Sequence, residues 1–429
     1  MFTADKNDDL VKNTTYKVVL PFYAYAAISF LFATILLFFS ASAFTQHYFH
    51  PNTLAITHCM ALGWGTMMIL GASHQLVPVL IEGKLYSNTL AYTSFVFGAI
   101  GIPLLIYGFY FFNLGWPAQS GGILINAAVI TYLLNLAVSM VKSKKENVHA
   151  VFIFTASLWL LLTTLLGLLL LYNFTAIILP KDSLHYLSLH AHIGIIGWFL
   201  LLVMGVGSRL IPMFLISKYN NTKLLWVIYG LVNGSLLSFI LSFLFLNTTA
   251  FYFIPVAAML LAVLLFGYYC YSCYKQRIRK KVDEQMKITL TSVMMLLIPL
   301  IFLIIIIAGL LLGTVNTKMV LLYGFVIFFG WITAIIFGMT FKTLPFIIWN
   351  KVYHLHAGLG KTPNPKDLFS SKIFIAMCFI YLFGFALFIS GIYFAKIIIL
   401  QAAAALLIVT ALLYNWNVLK MFFHKASKV

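Results

Sequence analysis

Thr57-His58-Cys59-Met60-Ala61-Leu62-Gly63-Trp64, running on through Gly71 to Pro78, is the stretch that decides how the chain folds. Its frame returns twice. His192 leads through Gly197 and Trp198 to Gly205 and Pro212, and Phe325 leads through Gly330 and Trp331 to Gly338 and Pro345. The shared pattern is G-W-x6-G-x6-P, with one further site six residues before the Trp. Trp, Gly and Pro are sparse here, so recurrence of all of them at fixed offsets and near-equal intervals reads as an internal repeat. Small residues at helix contacts would explain the glycines alone, since Gly lets membrane helices approach closely. They would not fix Trp and Pro at the same offsets.

The composition says what is being repeated. The chain is 63% hydrophobic, 17% aromatic and only 8% charged, which excludes a soluble globular domain. A membrane span needs about 20 apolar residues to cross about 30 Å of hydrocarbon. Twelve segments qualify, at about 18–44, 53–80, 89–113, 122–142, 150–177, 189–216, 223–247, 251–273, 288–313, 319–344, 372–393 and 396–420. Backbone groups in lipid must be paired within the segment, so each is predicted to be a helix. The repeats fall on spans 2, 6 and 10. The fold class is therefore an all-α polytopic membrane protein, a single transmembrane domain over 1–429. It is expected to have three pseudo-threefold four-helix blocks at about 18–142, 150–273 and 288–420. Inverted-repeat transporters, whose halves repeat near the chain midpoint, are a poorer match.

The net charge of +18 marks orientation in a bilayer, not nucleic-acid binding. Connections after even-numbered spans carry Lys142, Lys144, Lys145, Lys218, Lys275, Arg277, Arg279, Lys280, Lys281, Lys351, Lys361 and Lys366. Those after odd-numbered spans carry only Lys181, Lys318 and Lys396. The positive-inside rule then puts both termini in the cytoplasm, with the chain in the cytoplasmic (inner) membrane. Span 1 is too long for a signal peptide. Cys59, Cys270, Cys273 and Cys378 form no disulfide framework, and Cys270-x-x-Cys273 reads as a chance pair.

An ionisable residue inside a span is costly and usually functional. His58 and His192 share one repeat position, six residues before the Trp, and a closed threefold bundle is expected to bring them face to face. Neutral imidazole is a common ligand for haem iron and other metals. His58 and His192 are the expected haem ligands. His190, which on a helix points about 200° away from His192, is a candidate copper ligand or alternative haem ligand. His47 and His50 are weaker metal candidates in the loop before span 2. Met60, Met67, Met68, Met204 and Met213 lie on the same helices and offer thioethers to copper, though packing explains them as well. His74 lies ~24 Å beyond His58 along the helix at about 1.5 Å per residue and cannot share its metal. Gln75, Arg209 and Lys342 recur three residues before the Pro and read as side chains reaching for headgroups. All nine acidic residues fall in tails or connections, so no buried carboxylate relay is expected.

Twelve spans in three arcs, with histidines near the starts of spans 2 and 6, resemble the haem-copper oxidase subunit I superfamily. The resemblance assigns His58 to the span-2 haem ligand and His192 to the span-6 copper ligand. It implies a b-type haem, copper as a second cofactor, a diatomic gas as substrate, and a quinol or electron-donor protein as partner beside the lipid bilayer. The departures are specific. The third repeat site is Phe325, with no histidine on span 10. Span 7 offers only Asn233 and Ser235 where the oxidases place a His-His pair, and the oxidase tyrosine after the span-6 histidine is Ile196. The chain is thus similar to a divergent branch, the NnrS-type membrane haem proteins linked to nitric oxide stress. The implied role is nitric oxide or diatomic handling, stress response or respiratory support. The alternatives are an oxygen or nitric oxide reductase with an unusual site, making it an oxidoreductase, and a cofactor-free twelve-helix transporter.

Overall fold

The computed structural model describes residues 14–81, 83–143, 147–246, 248–314, 316–353 and 362–426. His354, His356, Gly358, Gly360, Lys144, Lys145 and Lys361 lie outside the described residues. Among those described, the chain is helical, with one isolated backbone bridge, Ser217 to Arg277. Twelve helices are long and apolar enough to cross a membrane. Spans 1 to 4 are Tyr16–Phe39, Pro51–Leu80, Asn88–Tyr110 and Trp116–Val141. Spans 5 to 8 are Val148–Ala176, Leu187–Leu215, Thr222–Phe245 and Thr249–Lys275. Spans 9 to 12 are Glu284–Leu311, Thr317–Tyr353, Ser371–Phe394 and Ile397–Phe422. Span 10 runs past its expected end near residue 344. Span 9 is interrupted at Leu296, three residues before Pro299, where a proline cannot donate to the carbonyl four residues back.

The helix starts follow short-range chemistry. Spans 3, 5, 7, 9 and 11 begin behind Ser87, Asn147, Asn221, Asp283 and Ser370, whose side chains each accept from a backbone N–H of the first turn. These caps pair donors that a helix start leaves free. The prolines inside spans free carbonyls, which neighbours then take up. Pro78 leaves the His74 carbonyl to the Thr14 hydroxyl at 2.6 Å. Pro212 leaves the Ser208 carbonyl to the Tyr269 hydroxyl at 3.0 Å. Pro103 leaves the Ala99 carbonyl to the Tyr25 hydroxyl at 3.4 Å.

Spans 2, 6 and 10 are the interior of the bundle. Their apolar windows are 72%, 72% and 83% buried, against 28% to 50% for the others. The repeat supplies the reasons. A Cβ on Gly71 would lie 2.6 Å from the Phe22 Cβ of span 1. Gly205 and Gly338 face Phe152 of span 5 and Thr289 of span 9 more closely still. Each Gly thus lets a central helix press against the span before it. The turns around each Gly-Trp are wide π-helical turns, at Cys59–Thr66, Ile193–Leu200 and Val326–Ile332.

The three Trp side chains are buried, and two of them tie the central helices together. Trp64 Nε1 donates to Thr333 Oγ1 at 3.1 Å, and Trp198 Nε1 donates to Thr66 Oγ1 at 3.0 Å. Thr66 and Thr333 each stand two residues after their own Trp. The residue in that position on span 6 is Leu200, and Trp331 Nε1 has no partner among the described residues.

Candidate histidine site at the ends of the central helices

The histidines sit on the last ordinary turn before the wide turns. His58 ends the helix Pro51–His58, and His190 and His192 lie in Leu187–His192. His58 Nδ1 lies 2.8 Å from the Leu54 carbonyl. A carbonyl only accepts, so Nδ1 holds the proton and Nε2 keeps its lone pair. That Nε2 makes no hydrogen bond among the described residues. The ring lies against Phe109 of span 3, centroids 4.4 Å apart.

Opposite it is His190, not His192. The His58 and His190 centroids are 6.3 Å apart and their planes differ by 19°. His190 Nδ1 is buried without a hydrogen-bond partner. Room for this ring comes from Gly167 of span 5, where a Cβ would stand 2.9 Å from His190 Cε1.

His192 serves the next seam. Its Nδ1 lies 2.7 Å from the Ser188 carbonyl, and its Nε2 lies 3.2 Å from the Tyr323 hydroxyl of span 10. Tyr323 therefore donates to the lone pair of His192. The expected facing of His58 and His192 is corrected here. A central helix borders two others, so residues about 200° apart face different neighbours. Tyr323 stands two residues before Phe325 as His190 stands two before His192, a periodicity that would have flagged it. At the third repeat site Phe325 stacks on Phe388 of span 11 at 4.3 Å and on Phe329 of its own helix at 5.0 Å.

The loop histidines are local fixtures. His50 caps span 2, its Nδ1 accepting from the Asn52 N–H at 3.2 Å, while exposed His47 accepts from the Phe49 N–H at 3.1 Å. An accepting Nδ1 puts the proton of the neutral ring on Nε2. No group of three or more His, Cys, Asp or Glu able to hold a metal forms among the described residues. Asn233 accepts from Trp159 Nε1 at 2.9 Å, and Ser235 donates to the Pro255 carbonyl at 2.7 Å, so both brace helices. Cys270 and Cys273 are free and buried in span 8.

At the other end of the core, His74 is 1% exposed, against Phe22 and Tyr132, and neither of its ring nitrogens has a partner. The buried Tyr132 hydroxyl also lacks one. Lys342 does not reach outward for headgroups: its ammonium pairs with Asp283, which caps span 9 and also faces Arg279 at 3.6 Å. The chain matches no family model and no curated protein sequence.

Proposed function

We propose that this is a haem protein of the cytoplasmic membrane, with one b-type haem between His58 and His190. The observation that carries the reading is the separation of those two rings. A metal–imidazole bond of about 2 Å on each side, with about 1 Å more from each nitrogen to its ring centre, spans about 6 Å. The observed 6.3 Å is the spacing that one ion between two imidazoles requires. The free Nε2 of half-buried His58 and the orphaned, buried Nδ1 of His190 fit the same use, since a buried polar atom such as the latter otherwise finds a partner. Two imidazoles are too few for a copper ion that draws on protein alone, whereas a porphyrin brings its own nitrogens. Bound there, haem would supply a redox-active iron for electron transfer.

The two ligands differ in bracing. His58 is fixed by the Leu54 carbonyl and by Phe109, and such outer partners orient a ligand and raise its basicity. His190 would ligate through its unpartnered Nδ1 and has no carbonyl hydrogen bond of the His58 kind among the described residues, so it would be the less firmly held of the two ligands. This supports handling or sensing of nitric oxide or a similar gas in a divergent relative of the haem-copper oxidase superfamily. The two matching Trp–Thr contacts support three pseudo-threefold blocks, and the basic connections support cytoplasmic termini.

Absorbance spectra and pyridine haemochrome of gently purified protein test the reading. One b-type haem per chain is expected. His58→Ala and His190→Ala should each remove most of it or leave a five-coordinate spectrum. His192→Ala and His74→Ala should leave it unchanged. Haem-free protein, or full haem with wild-type spectra in both ligand variants, overturns it.

A further inference from the structure

Past the Trp–Thr layer, away from the histidines, an apolar cavity of about 90 Å³ lies between the three central helices. Ile69 and Ala72 of span 2, Val203 and Val206 of span 6, and Ile335 and Ile336 of span 10 line it. The hydroxyl-bearing residues in its wall are Tyr23, Ser73, Thr340 and Thr343. Each is already engaged. Tyr23 is 3.0 Å from the Thr343 hydroxyl, which itself donates to the Met339 carbonyl at 2.9 Å. Ser73 donates to the Leu70 carbonyl at 2.9 Å. Thr340 accepts from Tyr414 at 3.1 Å and points its proton at Met68 Sδ, 3.8 Å away.

A buried water needs two to four polar partners, and every hydroxyl proton in this wall is already given to a neighbour. Apolar walls of this kind hold water poorly, and an enclosed apolar cavity of about 150 Å³ is known to take benzene or xenon. At about 90 Å³ the present space is too small for benzene and large enough for a single atom or a diatomic. We infer that the cavity is a binding site for small apolar gas molecules, dioxygen and nitric oxide among them. It holds them in the protein interior at a concentration above that of water. The wall alone carries this inference, so it stands or falls separately from the haem reading.

The test uses xenon as the probe, on full-length protein in lipid nanodiscs, followed by 129Xe NMR across a pressure series. The wild type should give a saturable shift. Ala72→Leu and Val206→Phe, each with wild-type helicity by circular dichroism, should lose it because their side chains fill the space. If one variant fails to fold, the other decides. No saturable shift in the wild type, or an unchanged shift in the folded variants, overturns the inference. So does native mass spectrometry showing a retained acyl lipid that Val206→Phe displaces.

Discussion

Thr333→Val removes one hydroxyl from the centre of the bundle and preserves the shape of the side chain. The hydroxyl has two contacts: it accepts from Trp64 Nε1 at 3.1 Å and donates to the Phe328 carbonyl at 2.7 Å. Trp64 is 0% exposed, so its N–H has no water to turn to. Stranding a buried donor costs about 1–3 kcal/mol in soluble proteins. Interhelical bonds inside membranes average about 0.6 kcal/mol and reach about 1.7 kcal/mol, because the unfolded state in the membrane also finds partners. A loss of about 1–1.5 kcal/mol is therefore expected for Thr333→Val. The cycle with Trp64→Phe isolates the pair and should give a coupling of about 0.5–1.5 kcal/mol. The cycle of Thr66→Val with Trp198→Phe should give a similar value. Trp331 is the built-in control, because Leu200 offers its N–H nothing. Unfolding in mixed detergent–SDS micelles, followed by helicity, measures each term. Couplings below about 0.2 kcal/mol in both Trp–Thr cycles would show that these two bonds do not hold the central helices together.

Three further outcomes are expected. Gly71→Ala places a Cβ 2.6 Å from the Phe22 Cβ and should destabilise by about 1–3 kcal/mol, whereas Gly230→Ala, with nothing within 4 Å, should be neutral or stabilising in the same melting assay. Equal effects of the two would refute the close-packing role of the repeat glycine. Membrane-impermeant thiol labelling of intact cells should tag Lys181→Cys and spare Lys280→Cys, both at exposed sites; the reverse would overturn the orientation. His424, just past the end of span 12, has a pKa lowered below 6.5, first by burial and then by Lys420. A lowered folded value means the neutral ring is favoured. In its 2.8 Å bond with Tyr353 the neutral ring can accept from the hydroxyl above pH 6.5, and that role should be lost as pH falls through the folded pKa, when a protonated Nε2 can only donate. An NMR titration midpoint at or above 6.5 contradicts this.

The spans were legible because hydrophobicity, helix length and the cost of bare backbone in lipid all act locally. The Trp-Gly-Pro frame likewise pointed to the three helices that form the interior, since close packing demands small residues wherever it occurs. Partner choice was not legible. His58 meets His190 because each central helix has two neighbours, and one helix wheel cannot say which neighbour a given side faces. The roles of His47 and His50 were hidden for a related reason. A histidine in a list of candidate ligands looks the same whether its Nδ1 gives or receives a proton, and only the backbone atom beside it decides. Lys342 was misread because Asp283 lies far from it in sequence, yet folds against the end of its helix.

The three equivalent positions of the central helices now differ in what they meet: His58 faces an imidazole of span 6, His192 a phenol of span 10, and Phe325 a stack of phenyl rings shared with span 11. Three identical subunits could never arrive at such an arrangement, because any substitution would strike all three positions at once. Joining the copies in one polypeptide releases that constraint. Leu200, where the other two copies carry threonine, is a visible trace of that freedom: a single position free to change without dragging its counterparts along.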